Sequence, residues 1–106
     1  MINTEQYSFQ LILHSGNARS TAYEALGKVK AKAFEEGCSM LEEAKKELIE
    51  AQKQHAQLLR MMANDEQEID INLLLIHAED HIASSAVAVE MTGEIIDLYK
   101  KLEGIA

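Results

Sequence analysis

The 106-residue chain has no proline, no tryptophan, one cysteine and only five glycines. Each shortage excludes something. Without the proline and glycine that punctuate short strands, a turn-rich β-sandwich is a poor fit, and so is a doubly wound α/β fold. Cys38 cannot form an intramolecular disulfide, and no second thiolate is available for a cysteine-rich metal site; a reducing compartment suits it. Two Phe and three Tyr provide few stacking platforms for bases or sugar rings. Basic side chains are also scarce, 10 Lys and Arg against 18 Asp and Glu. The net charge of −8 counts against a general binder of nucleic acid or acidic membranes. The longest apolar run, around Leu73 to Ile76, stops at His77, Glu79 and Asp80. It is far short of the roughly 18–20 residues that span a bilayer. The opening Met1-Ile2-Asn3-Thr4-Glu5-Gln6 lacks the basic and apolar regions of a secretory signal. These features predict a single cytoplasmic domain over residues 1–106.

What is present favours helix almost everywhere, because Ala, Leu, Glu, Lys and Gln dominate. Thr4 or Asn3 is placed to cap a first helix ending near Lys30 to Ala33. Within it, Ser15-Gly16-Asn17 is a polar interruption that reads either as a kink or as a point of close backbone approach. A second helix is predicted from Phe34 to about Met62. Its Leu41, Ala44, Leu48, Ala51, His55 and Leu58 recur at three- and four-residue steps, while Glu42, Glu43, Lys45, Lys46, Glu47 and Lys53 face water. Glu42 and Lys46 are spaced as an i,i+4 pair. Asn64 to Glu68 reads as the linker. A third helix capped by Asp70 or Asn72 then runs to about Leu102, roughly 48 Å long. Cys38, Met40, Met61 and Met62 read as core or near-core fillers.

The third helix is apolar around much of its circumference, from Leu73 through Ile82, Val87, Met91 and Ile95 to Leu98. One face serves the subunit core. The remainder calls for another partner, and self-association is the economical one.

His77-Ala78-Glu79-Asp80-His81 interrupts that apolar helix. Asp80 falls within the stripe formed by Leu73, Ile76, Val87 and Met91. It is therefore either partly exposed or tied to Arg19, or else held where it must be paired, protonated or metal-bound. His77 and His81 lie one turn apart. The spacing superficially resembles H-E-x-x-H, but Ala78 replaces the general-base glutamate, which argues against a zinc hydrolase. Three readings stay open for the pair: structural histidines, ligands of a metal shared with His55 or His14, or a nucleophile that accepts a phosphoryl group. Arg19, in Ser15-Gly16-Asn17-Ala18-Arg19-Ser20, is either solvated or offers its planar fork to a carboxylate or phosphoryl group.

In these places the chain resembles the IIA component of the lactose/cellobiose/diacetylchitobiose family of the bacterial sugar phosphotransferase system. The resemblance covers essentially the whole chain. It rests on Ser15 to Ser20, Phe34, Glu50-Ala51, Leu73 to His81, and Glu94 to Leu102. It implies an all-α fold, an antiparallel three-helix bundle subunit assembled as a trimeric nine-helix bundle. It implies that His77 accepts phosphate from the phosphohistidine carrier protein and passes it to a IIB component serving a membrane IIC permease. His81 would support it, and Arg19 would steady the charges. Asp80 would meet its copies on the trimer axis, with Mg2+ or another divalent cation, one per trimer. The chain departs from the family pattern in three places. Glu79 replaces a usual glutamine beside the active region, where a carboxylate repels an incoming phosphoryl. Gln52 and His55 exchange the usual histidine and glutamine. Lys32-Ala33 replaces a usual Gly-Asp. The alternative is a divergent regulatory or structural oligomeric helical module with a His/Asp metal-binding cluster.

Overall fold

The computed structural model describes residues 2–64 and 68–105. Three helices run antiparallel in sequence order: α1 Glu5–Lys30, α2 Phe34–Asn64 and α3 Leu73–Leu102. They make a rod of 55 × 21 × 15 Å. Among the described residues there is no strand, only an isolated parallel bridge between Ile2 and Ile69. No described helix is long and apolar enough to cross a membrane.

The buried positions explain the rod. On α1 they are Ser8, Leu11, Ser15, Ala18, Ala22, Ala25 and Val29. On α3 they are Leu75, Ala78, Ile82, Ser85, Val89, Thr92 and Ile96. Both series alternate steps of three and four, the heptad spacing that keeps one seam facing its neighbours along the whole helix. On α2 the series Gly37, Leu41, Ala44, Leu48, Ala51 and Leu58 skips one heptad position, which His55 occupies. The core is layered. Leu11, Ala51, Ala78 and Ile82 pack together at one level, Ala18, Ala22, Ala44, Leu48 and Val89 at the next. Ala25, Val29, Leu41 and Ile96 close the far end. α1 packs extensively on both neighbours, whereas α2 and α3 meet much less.

The helix ends follow local chemistry. α1 closes in a Schellman turn, with Ala33 N–H donating to the Lys28 carbonyl and Lys32 N–H to that of Val29. The left-handed position of this turn holds Lys32, at φ 69°. α3 ends in the same motif with Gly104, φ 71°, at that position. Asn72 caps α3, its side chain accepting from Leu75 N–H at 3.0 Å. At the start of α1, Asn3 Oδ1 accepts from Glu5 N–H at 2.9 Å. Thr4 instead donates its hydroxyl to the Asp70 carbonyl, tying the two helix starts together.

Several expectations change. α1 passes through Ser15-Gly16-Asn17 unbroken. Asn64 is the last residue of α2, and the Asp65 to Gln67 part of the expected linker lies outside the described residues. Met62 is exposed, although it continues the spacing of the seam four residues beyond Leu58. Glu42 pairs with Lys45, at 3.3 Å, and Glu47 turns inward to His14.

The apolar excess of α3 is real. Leu73, Ile76, Val87, Met91, Ile95, Leu98 and Leu102 are exposed on the subunit, Leu73 by 80% and Leu98 by 59%. Asp80 is exposed within this line. α3 is thus apolar on two sides, and a single chain covers only one of them.

Candidate functional site

Ala51 and Ala78, both fully buried, let the three helices approach closely at the level of His77 to His81. On the flank of α3 that faces α1, His81 inserts between Ser15, Gly16 and Arg19. The seam spacing puts Ser15 in the core, and Arg19, one turn later on the same side, emerges beside it. His81 Nδ1 lies 2.8 Å from Ser15 Oγ, and His81 Nε2 lies 3.2 Å from Arg19 Nη2. At Gly16 a Cβ would stand 3.2 Å from His81 Cε1, so glycine gives the ring room. The segment read as an interruption is the bed of a histidine.

These contacts assign the protons. A guanidinium has only donors, so His81 Nε2 accepts from Arg19. The ring proton is then on Nδ1 and is donated to Ser15 Oγ, whose own proton goes to the Leu11 carbonyl. Both nitrogens of His81 are committed. Burial first, then the Arg19 guanidinium and His77, hold its pKa below the ordinary histidine value, against a smaller opposing effect of Asp80.

His77 differs at every point. It is exposed, and among the described residues neither ring nitrogen has a hydrogen-bond partner. Its ring meets that of His81 edge to face, centroids 5.6 Å apart. The result is a free imidazole on a turn anchored from below, with a guanidinium on the adjoining helix. A nucleophile needs an accessible lone pair on a rigid support, and His77 has both.

The remaining candidates are dispersed. Arg19 binds His81 rather than Asp80, and Asp80 has no ion-pair partner among the described residues. Glu79, two residues from His77, emerges on the opposite flank. Its Oε2 lies 2.6 Å from His55 Nε2 of α2. That approach is off the line of a directed hydrogen bond, and the nitrogen is sealed from solvent. The expectation that Glu79 lies beside the active region changes accordingly: its carboxylate is turned to α2. Two of the positions that depart from the family pattern are thus in contact. His14 bonds Glu47 Oε1 at 2.8 Å and Gln10 Oε1 at 3.1 Å. Neither His55 nor His14 joins His77 and His81, and no group of three or more metal-ligating side chains gathers among the described residues. Sequence reasoning assigned no role to Ser15 or to the His55–Glu79 contact. For Ser15 the usable signal was its spacing of four from Arg19. For His55 it was a polar residue at a seam position.

The family described as "PTS system, Lactose/Cellobiose specific IIA subunit" matches residues 6–100. The lichenan-specific phosphotransferase enzyme IIA component of Bacillus subtilis is 39% identical, over 92% of this chain and 88% of its own length. The crystal structure of the cellobiose-specific enzyme IIA from Bacillus anthracis superposes with a TM-score of 0.88 at 42% identity, covering 100% of this chain and 96% of that one. In the solution structure of the IIA(Chitobiose)–HPr complex of Escherichia coli, the matching chain has a TM-score of 0.76 at 31% identity, covering 97% of this chain and 99% of that one. The chain belongs to the lactose/cellobiose-specific IIA family and is a component of a sugar phosphotransferase system.

Proposed function

We propose that this protein is a phosphohistidine carrier and that His77 is the residue that bears the phosphoryl group. The observation that carries the reading is the contrast between the two histidines. His81 spends both nitrogens on Ser15 and Arg19, whereas His77 is at the surface with its nitrogens unbonded among the described residues. A ring nitrogen of His77 attacks the phosphorus of a donor phosphohistidine. The new N–P bond forms as the donor's N–P bond breaks, and the bonding pair returns to the donor imidazole. The transfer then repeats toward an acceptor on a IIB component. Such a reaction asks mainly for positioning and compensation of charge. Ser15 and His81 supply the first by fixing the turn below His77, and Arg19 supplies a fixed positive charge. Complex formation of a relative with HPr supports that protein as the donor. The protein would act in the cytoplasm, beside a IIC permease.

The exposed apolar line of α3 supports a homotrimer in which these faces cover one another. One Asp80 per subunit would then join a common axis. Asp80 is a hard oxygen donor without an internal partner among the described residues, and three copies fit Mg2+ or another divalent cation, which would supply charge neutralisation there.

The test is labelling with phosphoenolpyruvate, enzyme I and the phosphocarrier protein. Wild type should acquire acid-labile phosphate, and His77→Ala should acquire none while keeping its helical content. Absence of labelling in wild type, with active control proteins, refutes the proposal for these donors.

A further inference from the structure

The histidine that sequence reasoning placed in the apolar seam of α2 lies 2.6 Å from the Glu79 carboxylate of α3. We infer that His55 is a positioning residue for phosphoryl transfer: it parks the Glu79 carboxylate on the α2 flank of α3, away from the face where the phosphoryl group reaches His77. The inference rests on the carrier reading of His77.

Three observations carry it. His55 occupies the heptad position between Ala51 and Leu58, where every other occupant on α2 is apolar or glycine. A polar group at such a position lowers stability unless it secures something in return. Its Nε2 is sealed from solvent and makes no directed hydrogen bond among the described residues, and Glu79 Oε2 is the charged atom beside it, at 2.6 Å. Finally, the contact bridges α2 and α3, the pair of helices that otherwise touch least, at the same level as the Ser15–His81–Arg19 chain on the opposite flank. The turn bearing His77 is therefore held from both sides, one side addressing a ring and the other a carboxylate.

The carboxylate matters because of what arrives. A transferred phosphoryl group brings up to two negative charges to a turn that already contains Asp80, within a chain of net charge −8. Glu79 is long and partly exposed. Released from His55, it swings free of α2 and adds a second, mobile carboxylate charge to the field around that approach path. Held against α2, it does not.

The test compares four proteins in single-turnover transfer from phosphorylated carrier protein: wild type, His55→Ala, His55→Gln, and His55→Ala combined with Glu79→Gln. His55→Ala should transfer about three- to tenfold more slowly at low salt, and the deficit should shrink toward 1 M salt, where the Debye length is about 3 Å. His55→Gln, which keeps an N–H for the carboxylate, should stay near wild type. The double variant should regain most of the rate, since its residue 79 carries no charge to park. A merely structural histidine predicts otherwise: lower melting temperature, no salt dependence of the deficit, and no rescue by Glu79→Gln. That pattern, or a His55→Ala protein as fast as wild type, overturns the inference while the carrier reading stands. An unlabelled wild type overturns both.

Discussion

Replacing Ser15 by alanine tests the proton assignment at the centre of the site. Ser15 is fully buried, and its hydroxyl oxygen is the acceptor for His81 Nδ1–H at 2.8 Å. Alanine fits the same space, so little packing is lost. What is lost is the acceptor, leaving a partly buried N–H without a partner, at a cost of about 1–2 kcal/mol. For a chain of this size that corresponds to a fall in melting temperature of roughly 5–10 °C, readable by thermal circular dichroism. The second readout is direct. Nitrogen-15 NMR of the imidazole ring should show wild-type His81 neutral at pH 7 with its proton on Nδ1. The alanine variant should keep that tautomer, because Arg19 still donates to Nε2, and should lose only the signature of the bond from Nδ1–H. Labelling at His77 should persist, since Ser15 does not touch it. A wild-type His81 protonated on Nε2, or doubly protonated at pH 7, refutes the reasoning outright, because Arg19 cannot donate to a nitrogen that already carries hydrogen.

Lys32→Gly should stabilise the protein by about 0.5–1 kcal/mol, because Lys32 holds a left-handed backbone that glycine adopts without a Cβ clash; the urea midpoint reads it. Glu47 has its pKa lowered below 4.5, chiefly by the hydrogen bond from His14, against burial, which opposes it. Over the interval between its folded and unfolded values, the unfolded chain binds more protons, so stability rises with pH. The contribution is complete above about pH 4.5 and disappears as pH falls through the folded value. Glu47→Gln should flatten that part of a stability–pH curve measured by urea denaturation. On the proposed trimer axis, Asp80→Leu should keep or strengthen an assembly of about 35 kDa in light scattering, without added metal, because it would replace charges meeting there with the apolar character of the surrounding stripe. Dissociation to monomers would show that a pairing or metal role of Asp80 outweighs repulsion.

The long helices, their order and a cap at Asp70 or Asn72, of which the structure selects Asn72, were legible because they arise from local rules: propensity, seam periodicity and the chemistry of helix ends. The surplus apolar face of α3 was legible for the same reason, since counting along one helix shows more hydrophobic surface than one seam uses. The His77–His81 pair lies within a single turn and could be found there. Its division of labour could not. That His81 is spent and His77 free depends on Ser15, Gly16 and Arg19, more than sixty residues away, reaching the same ring. Likewise the exposed Asp80, the pairing of His55 with Glu79 and the diversion of Arg19 from Asp80 follow from which flank each side chain takes when α3 settles on α1 and α2. Periodicity states that a residue is on a face. Only packing states what that face meets, because hydrogen-bond direction and burial depend on distances across helices that no local pattern contains.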